Sequence, residues 1–464
     1  MPGTLDSPFS AGSVWNTPIG DGAQYVAANI PRPDYIVEEE CIIVIGTTGD
    51  PLRDVHTNDQ AWVLDGDRCA EDTDSGIDVH IPDSFVVDDP PSTLPNNCAA
   101  IFEPQFGDSV IEFQPFQRCT AGGDVTFGDG QTVFEYNPFT SDGRTEGGSR
   151  GGSTLPALGG TIRIGEGLTT GGYIPHPLAV LLNKLAMSAD GDGFRFPANS
   201  ADTGFETLYE GTVAACQMGS LLALLPDFDV DQLTTEAAKI IARTLIYYGA
   251  YVVDLRNDEE SLGLSMEWGP AGRWTEDFTA EWSMAFGQDT DVASIDPFGA
   301  DMGIIFDALH VVDNNSSSTI GGGGTPLLEI SPPGGGGGAV SWRLGSHTFA
   351  AADVPSGVLS GGGGMRWKHQ NPIGYSGTVM QYVLTEGAEH RLHLMVSEAE
   401  YLALKAIADA HAPVTFTAPR PRFAGGVTVV IEDFAAQWND NVRGDSSHPD
   451  YWWEIDIILV ETGA

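Results

Sequence analysis

The chain has 464 residues, 65 of them acidic against 21 basic, for a formal net charge of −44. That balance excludes nucleic acid and anionic membranes as partners, because both require a basic face. Hydrophobic residues make up 41% of the chain, enough to bury a core; disorder is excluded, and the length suggests roughly two or three domains.

Gly 58 and Pro 29, set among short Val/Ile/Thr-rich runs, favour sandwich or barrel architecture over helical bundles. Residues 7–19 alternate turn formers with the anchors Phe9, Val14, Trp15 and Ile19, the pattern of an extended arm pinned by its aromatics. Strands are expected at Tyr35–Ile45, Trp62–Leu64, Val79–Ile81, Ala99–Phe102 and Val110–Phe113. Val125–Phe127 and Thr132–Tyr136 flank Gly128-Asp129-Gly130, a hairpin signal. The Gly-rich stretch from Asp142 to Glu166 has no G-K-[ST], so it is no phosphate loop; its glycines permit bends or close approach to a ligand. Thr161–Ile164 alternates as a strand, with Arg163 opposite Ile162 and Ile164.

Ala237, Ile240, Ile241, Thr244, Leu245 and Tyr248 recur at helical spacing and stop at Gly249. Ala250–Asp254 reads as a buried strand, and Met302, Ile305, Phe306 and Leu309 as a second short helix. Residues 320–338 carry two glycine runs around Pro332-Pro333, which predicts a tether between a domain at 1–319 and another at 339–464. In the second domain, strands are expected at Val379–Leu384, His390–Val396, Val414–Thr417, Val427–Ile431 and Trp452–Val460, the last one central. Ser397-Glu-Ala-Glu400 is a capping box opening one helix. The fold expected is mainly β with a few helices: a large sandwich or jelly-roll-like body, then a small β-sandwich with one helix.

Cys41, Cys69, Cys98, Cys119 and Cys216 match no zinc motif. The first four allow two disulfides in three connectivities, or free buried thiols. Residues 1–6 lack the basic and apolar regions of a signal peptide. No metal or cofactor is expected, with Ca²⁺ left open by the acidic stretch Asp72–Asp78.

His176 stands between Pro175 and Pro177, just after the Gly-rich stretch, and is the first candidate for a general base. No nucleophile elbow, His-Glu-x-x-His or Cys/His cluster is present. Trp15, Trp62, Tyr173, Trp268 and Trp274 lie beside turn residues, where rings stack on sugars or pack in cores.

The order of elements after residue 379, with Glu400-Tyr-Leu402, Ala412-Pro-Val-Thr-Phe416, Val427–Asp433 and Trp453–Ile457, resembles the small β domains of siphophage tail-tip components of actinobacterial phages. Ser7–Ser10 with Val14–Asn16, Gly159–Glu166, Ile174–Leu178, Tyr248–Asp254 and Leu309–Asp313 resemble a group of bacterial, fungal and phage proteins whose phage members are called minor tail proteins. Where those relatives carry alanine and a basic residue after the histidine, this chain has Pro177, Leu178, Ala179 and Val180. No basic residue can hold a ligand at that point. In or near the matching segments, Tyr248 and Glu267 join His176 as catalytic candidates and Arg163 and Glu166 are ligand-binding candidates; Trp268, an aromatic beside turn residues, is a further ligand-binding candidate.

The resemblance implies a minor tail protein made in the host cytoplasm and carried in the virion. Its partners would be other tail proteins, copies of itself and a host-surface glycan. The alternative is a polysaccharide lyase or glycosidase acting on envelope glycans; a third reading is a secreted carbohydrate-binding protein of a halophile.

Overall fold

A computed structural model describes residues 7–327, apart from positions 64, 88–96, 107, 169–170, 257–258, 285, 287–289 and 293–296. It also describes 343–344, 347–348, 379–386, 389–410, 414–417, 427–438 and 452–461. The chain divides into two compact units, Met1–Leu328 and Glu329–Ala464.

In the first unit the strands are β1 (Tyr25–Ala27), β2 (Tyr35–Ile45), β3 (Leu52–Asn58), β4 (Thr73–His80) and β5 (Ala99–Phe102). They continue as β6 (Val110–Phe113), β7 (Val125–Gly128), β8 (Phe134–Tyr136), β9 (Leu178–Asn183) and β10 (Leu221–Ala223). The last are β11 (Ala250–Arg256), β12 (Ser261–Gly269), β13 (Gly272–Arg273), β14 (Thr290–Asp291) and β15 (His310–Val312). The helices are α1 (Phe205–Leu208), α2 (Glu236–Tyr247), α3 (Trp274–Trp282) and α4 (Pro297–Asp307).

The protein is mainly β, as its composition predicts. The main sheet has 12 strands in the order β1-β15-β10-β11-β9-β12-β2-β5-β6-β8, with β13 on β12 and β14 on β2. It is mixed: β9 with β11, β12 with β2, and β2 with β5 run parallel. This mixed sheet carries different covers on its two faces. One face packs Leu178, Val180, Leu262, Leu264 and Met266 against α2, α3 and α4. Towards β5 and β6 that face is covered by the three-stranded sheet β4-β3-β7. The opposite face is sealed by the arm residues Phe9, Val14, Trp15 and Ile19 together with Leu155, Ala157 and Leu158.

The arm is pinned by its anchors as predicted, though residues 11–16 run through turns instead of extending, and the Gly-rich stretch explains why it fits. Trp15 is buried, meets the Tyr251 ring edge-on at 5.2 Å and donates Nε1–H to the Gly143 carbonyl at 2.9 Å. A Cβ on Gly159 would lie 2.3 Å from the Trp15 ring. One on Gly160, at φ +71°, would lie 2.6 Å from the Ala179 amide. These two glycines bring backbone up to a tryptophan of the same chain.

Several expectations need correction. β7 pairs with β3 and β8 with β6, so Gly128-Asp129-Gly130 joins two sheets and makes no hairpin. Trp62 and Val63 lie in a turn, both exposed. Thr161–Ile164 contributes only a bridge from Ile162 to Met266. Residues 320–327, placed in a tether and at its edge, belong to the first unit. Gly20 donates to Gly321 O at 3.0 Å, Asp21 to Thr325 O at 2.7 Å and Leu327 to Ile19 O at 2.8 Å. Gly321–Gly324 all have positive φ, and a Cβ on Gly321 would lie 2.4 Å from Pro18 O, so this run needs glycine for its fit. The second glycine run lies outside the described residues.

The second unit has β16 (Arg343–Leu344), β17 (His347–Thr348), β18 (Val379–Glu386), β19 (Glu389–Ser397), α5 (Glu398–Asp409), β20 (Val414–Thr417), β21 (Val427–Trp438) and β22 (Trp452–Glu461). Its described strands form one sheet, β17-β16-β20-β21-β22-β19-β18, all pairs antiparallel, where two sheets were expected. β22 lies inside that sheet, as its long apolar run predicts. Among the described residues no helix is long and apolar enough to cross a membrane.

Candidate functional site

Four of the six candidate side chains converge where the segment after Gly160 runs beside β12. The Ile162–Met266 bridge sets Arg163 next to Glu267, and Arg163 Nε donates to Glu267 Oε2 at 2.7 Å. The same oxygen accepts from the Ile164 amide at 3.0 Å. The chain then turns, so that Glu166 Oε2 accepts from the Arg163 amide at 2.8 Å. Ten residues on, His176 returns to Glu166, with Nε2 at 3.0 Å from the same oxygen. Trp274 at the start of α3 donates Nε1–H to the Glu166 carbonyl at 2.9 Å. The four side chains are only 10–16% exposed.

The electrostatics follow from this arrangement. Burial disfavours the charged Arg163 guanidinium, but Glu267 and then Glu166 outweigh it and hold its pKa above the ordinary value. His176 behaves likewise: burial opposes its charge, while Glu166 and the Pro177 carbonyl raise its pKa above the usual histidine range. Its Nδ1 lies 2.8 Å from Pro177 O and its Nε2 faces a carboxylate. Acceptors at both ring nitrogens and the raised pKa favour the protonated ring, which is a weaker proton acceptor than a free imidazole.

The folded protein thus holds this proton more tightly than the unfolded chain, whose histidine titrates near about 6.5. The contribution of His176 is fully present below that pH and is lost as pH rises through the higher folded value. Thermal melts between pH 6 and 9 should show a decline in stability that His176→Gln flattens. An unchanged decline in the variant would remove His176 as its source.

Tyr248 and Trp268 stand apart from the network. Tyr248 ends α2, is buried and stacks on Tyr173 at 6.1 Å, with Tyr173 also edge-on to Tyr247. Burial, then Tyr173, pushes its hydroxyl up to about 12, which leaves no phenolate at neutral pH. Trp268 follows Glu267 on a strand and so faces the other side of the sheet. There it meets Phe85 edge-on at 5.8 Å and carries the Arg273 guanidinium 3.7 Å above its ring. One face of the ring is thus occupied by a cation.

The sequence reading passed over Asp277. Burial raises its carboxyl above the ordinary range; the Gly165 amide lowers it, and Glu276 and Glu267 raise it further. The signal available was Glu276-Asp277 in the first turn of a helix, a common N-terminal feature that does not mark a site.

The Asp72–Asp78 stretch runs mostly along β4. Asp72 accepts from the Asp59 amide at 2.7 Å and Asp74 from the Gly76 amide at 2.8 Å. The donor atoms of Asp54, His56 and Asp124 lie within 4.8 Å of one another, as such side chains do on a strongly acidic surface without any ion. Comparison with protein-family models, with curated proteins and with solved structures found no match.

Proposed function

We propose that this chain is a structural component of a phage tail tip, with the first unit binding a host-envelope glycan and the second serving assembly with other tail proteins and with copies of itself. The observation that carries the binding half is the mutual neutralisation of Arg163, Glu166, His176 and Glu267. Two cations and two carboxylates hold one another in fixed geometry. Such a set is suited to present a rigid polar surface and ill suited to pass protons. The assembly half is supported by the division into two units and by the tail-tip resemblance of the second. The full chain is expected to sediment with actinobacterial envelope material, to release no reducing or unsaturated sugar from it, and to be found in virions by mass spectrometry. Sugar release that disappears in His176→Ala, or absence from virions, would sink this reading.

A further inference from the structure

Cys41 and Cys98 stand opposite each other on neighbouring parallel strands. Ile42 pairs with Ala99 and Ile43 with Ala100, and the Ile42 amide donates to Cys98 O at 2.8 Å. One step back, the same register sets Cys41 against Cys98. Both side chains enter the core under the arm, beside Ile43, Ala100 and Phe102, and they are 0% and 4% exposed. Cys41 Sγ donates to Ala157 O at 3.3 Å. Adjacent strands lie about 4.7–4.9 Å apart, within the about 4.4–6.8 Å between Cα atoms that a disulfide spans. Of the other cysteines, Cys69 and Cys119 are already bonded, and Cys216 is packed in the core on the opposite face of the sheet.

We propose that Cys41 and Cys98 form a second disulfide, closed during folding by exchange with a small-molecule disulfide such as oxidised glutathione. The Cys41 thiolate attacks one sulfur of glutathione disulfide and releases one glutathione thiolate. The Cys98 thiolate then attacks the Cys41 sulfur of the mixed disulfide and releases the second. Two protein thiols lose two electrons and two protons, and one glutathione disulfide becomes two thiols.

The arm and the segment from Leu155 to Leu158 close over the pair, so exchange belongs to folding, before that cover is in place.

The full-length chain, reduced and unfolded, is refolded in a glutathione redox buffer, then denatured and alkylated with N-ethylmaleimide. The expected intact mass carries one adduct, on Cys216, and fragmentation finds a Cys41–Cys98 linked peptide. Cys41→Ser should then carry two adducts, on Cys98 and Cys216. Three adducts on the wild-type chain, at Cys41, Cys98 and Cys216, would overturn the proposal, as would linkage of either cysteine to another partner. If refolding yields no protein, the same count on chain exported to a bacterial periplasm decides between these outcomes.

Discussion

Trp15→Ala is expected to destabilise the first unit by about 3–5 kcal/mol, the range for deleting a large buried aromatic. The ring is 2% exposed, touches Tyr251 and donates to Gly143 O. Backbone at Gly159 and Gly160 is shaped round it, so the hole cannot collapse without moving that segment. The arm would lose its principal anchor while Phe9, Val14 and Ile19 remain. Urea unfolding followed through the first unit's transition measures the loss, and Trp15→Phe should recover part of it. A midpoint unchanged in Trp15→Ala would mean that the arm does not hold the sheet face closed.

Glu267→Ala should cost about 3–5 kcal/mol, because removing one member of a buried pair leaves the other charge uncompensated. Here the orphans would be the Arg163 guanidinium and the Ile164 amide, both of which share one carboxylate oxygen. Glu267→Gln keeps a carbonyl oxygen at that point and should lose less. The loss should change little with added salt, since both side chains are largely out of water. A Glu267→Ala protein as stable as the parent would show that the network does not brace the segment after Gly160. In that case the rigid surface assigned to glycan binding loses its basis.

The residues show which parts of this were legible beforehand. α2 was legible because one apolar stripe, a Thr235 cap and Gly249 at φ +77° all agree. β2, β5, β6 and β11 were legible as apolar runs between turn formers. β9 was not read, because Leu178–Asn183 follows Pro177 and is buried on both faces, which leaves no alternation to detect. β12 was not read although Gly263, Ser265 and Glu267 alternate with Leu262, Leu264 and Met266, a strand pattern that would wrongly put the first three in solvent. In the structure Ser265 is buried against Thr161 and Glu267 against Arg163.

Strand order was beyond reach, since residues far apart in sequence set it, as when β2 is inserted between β12 and β5. For the site, Arg163, Glu166, His176 and Glu267 were named and do converge. What sequence could not supply was their pairing, and pairing is what raises the His176 pKa. Tyr248 and Trp268 were chosen as residue types beside matching segments, and neither chain position nor type tells which face of the sheet a ring will occupy.

The short ladder that ties Ile19–Asp21 to Gly321–Leu327 has a mechanical consequence. It clasps the unit's entrance to its exit, so tension arriving through Leu327 reaches this clasp before it reaches any strand of the main sheet. A few backbone hydrogen bonds, beginning with Leu327 to Ile19, would yield first, and the sheet would stay unloaded until they had parted.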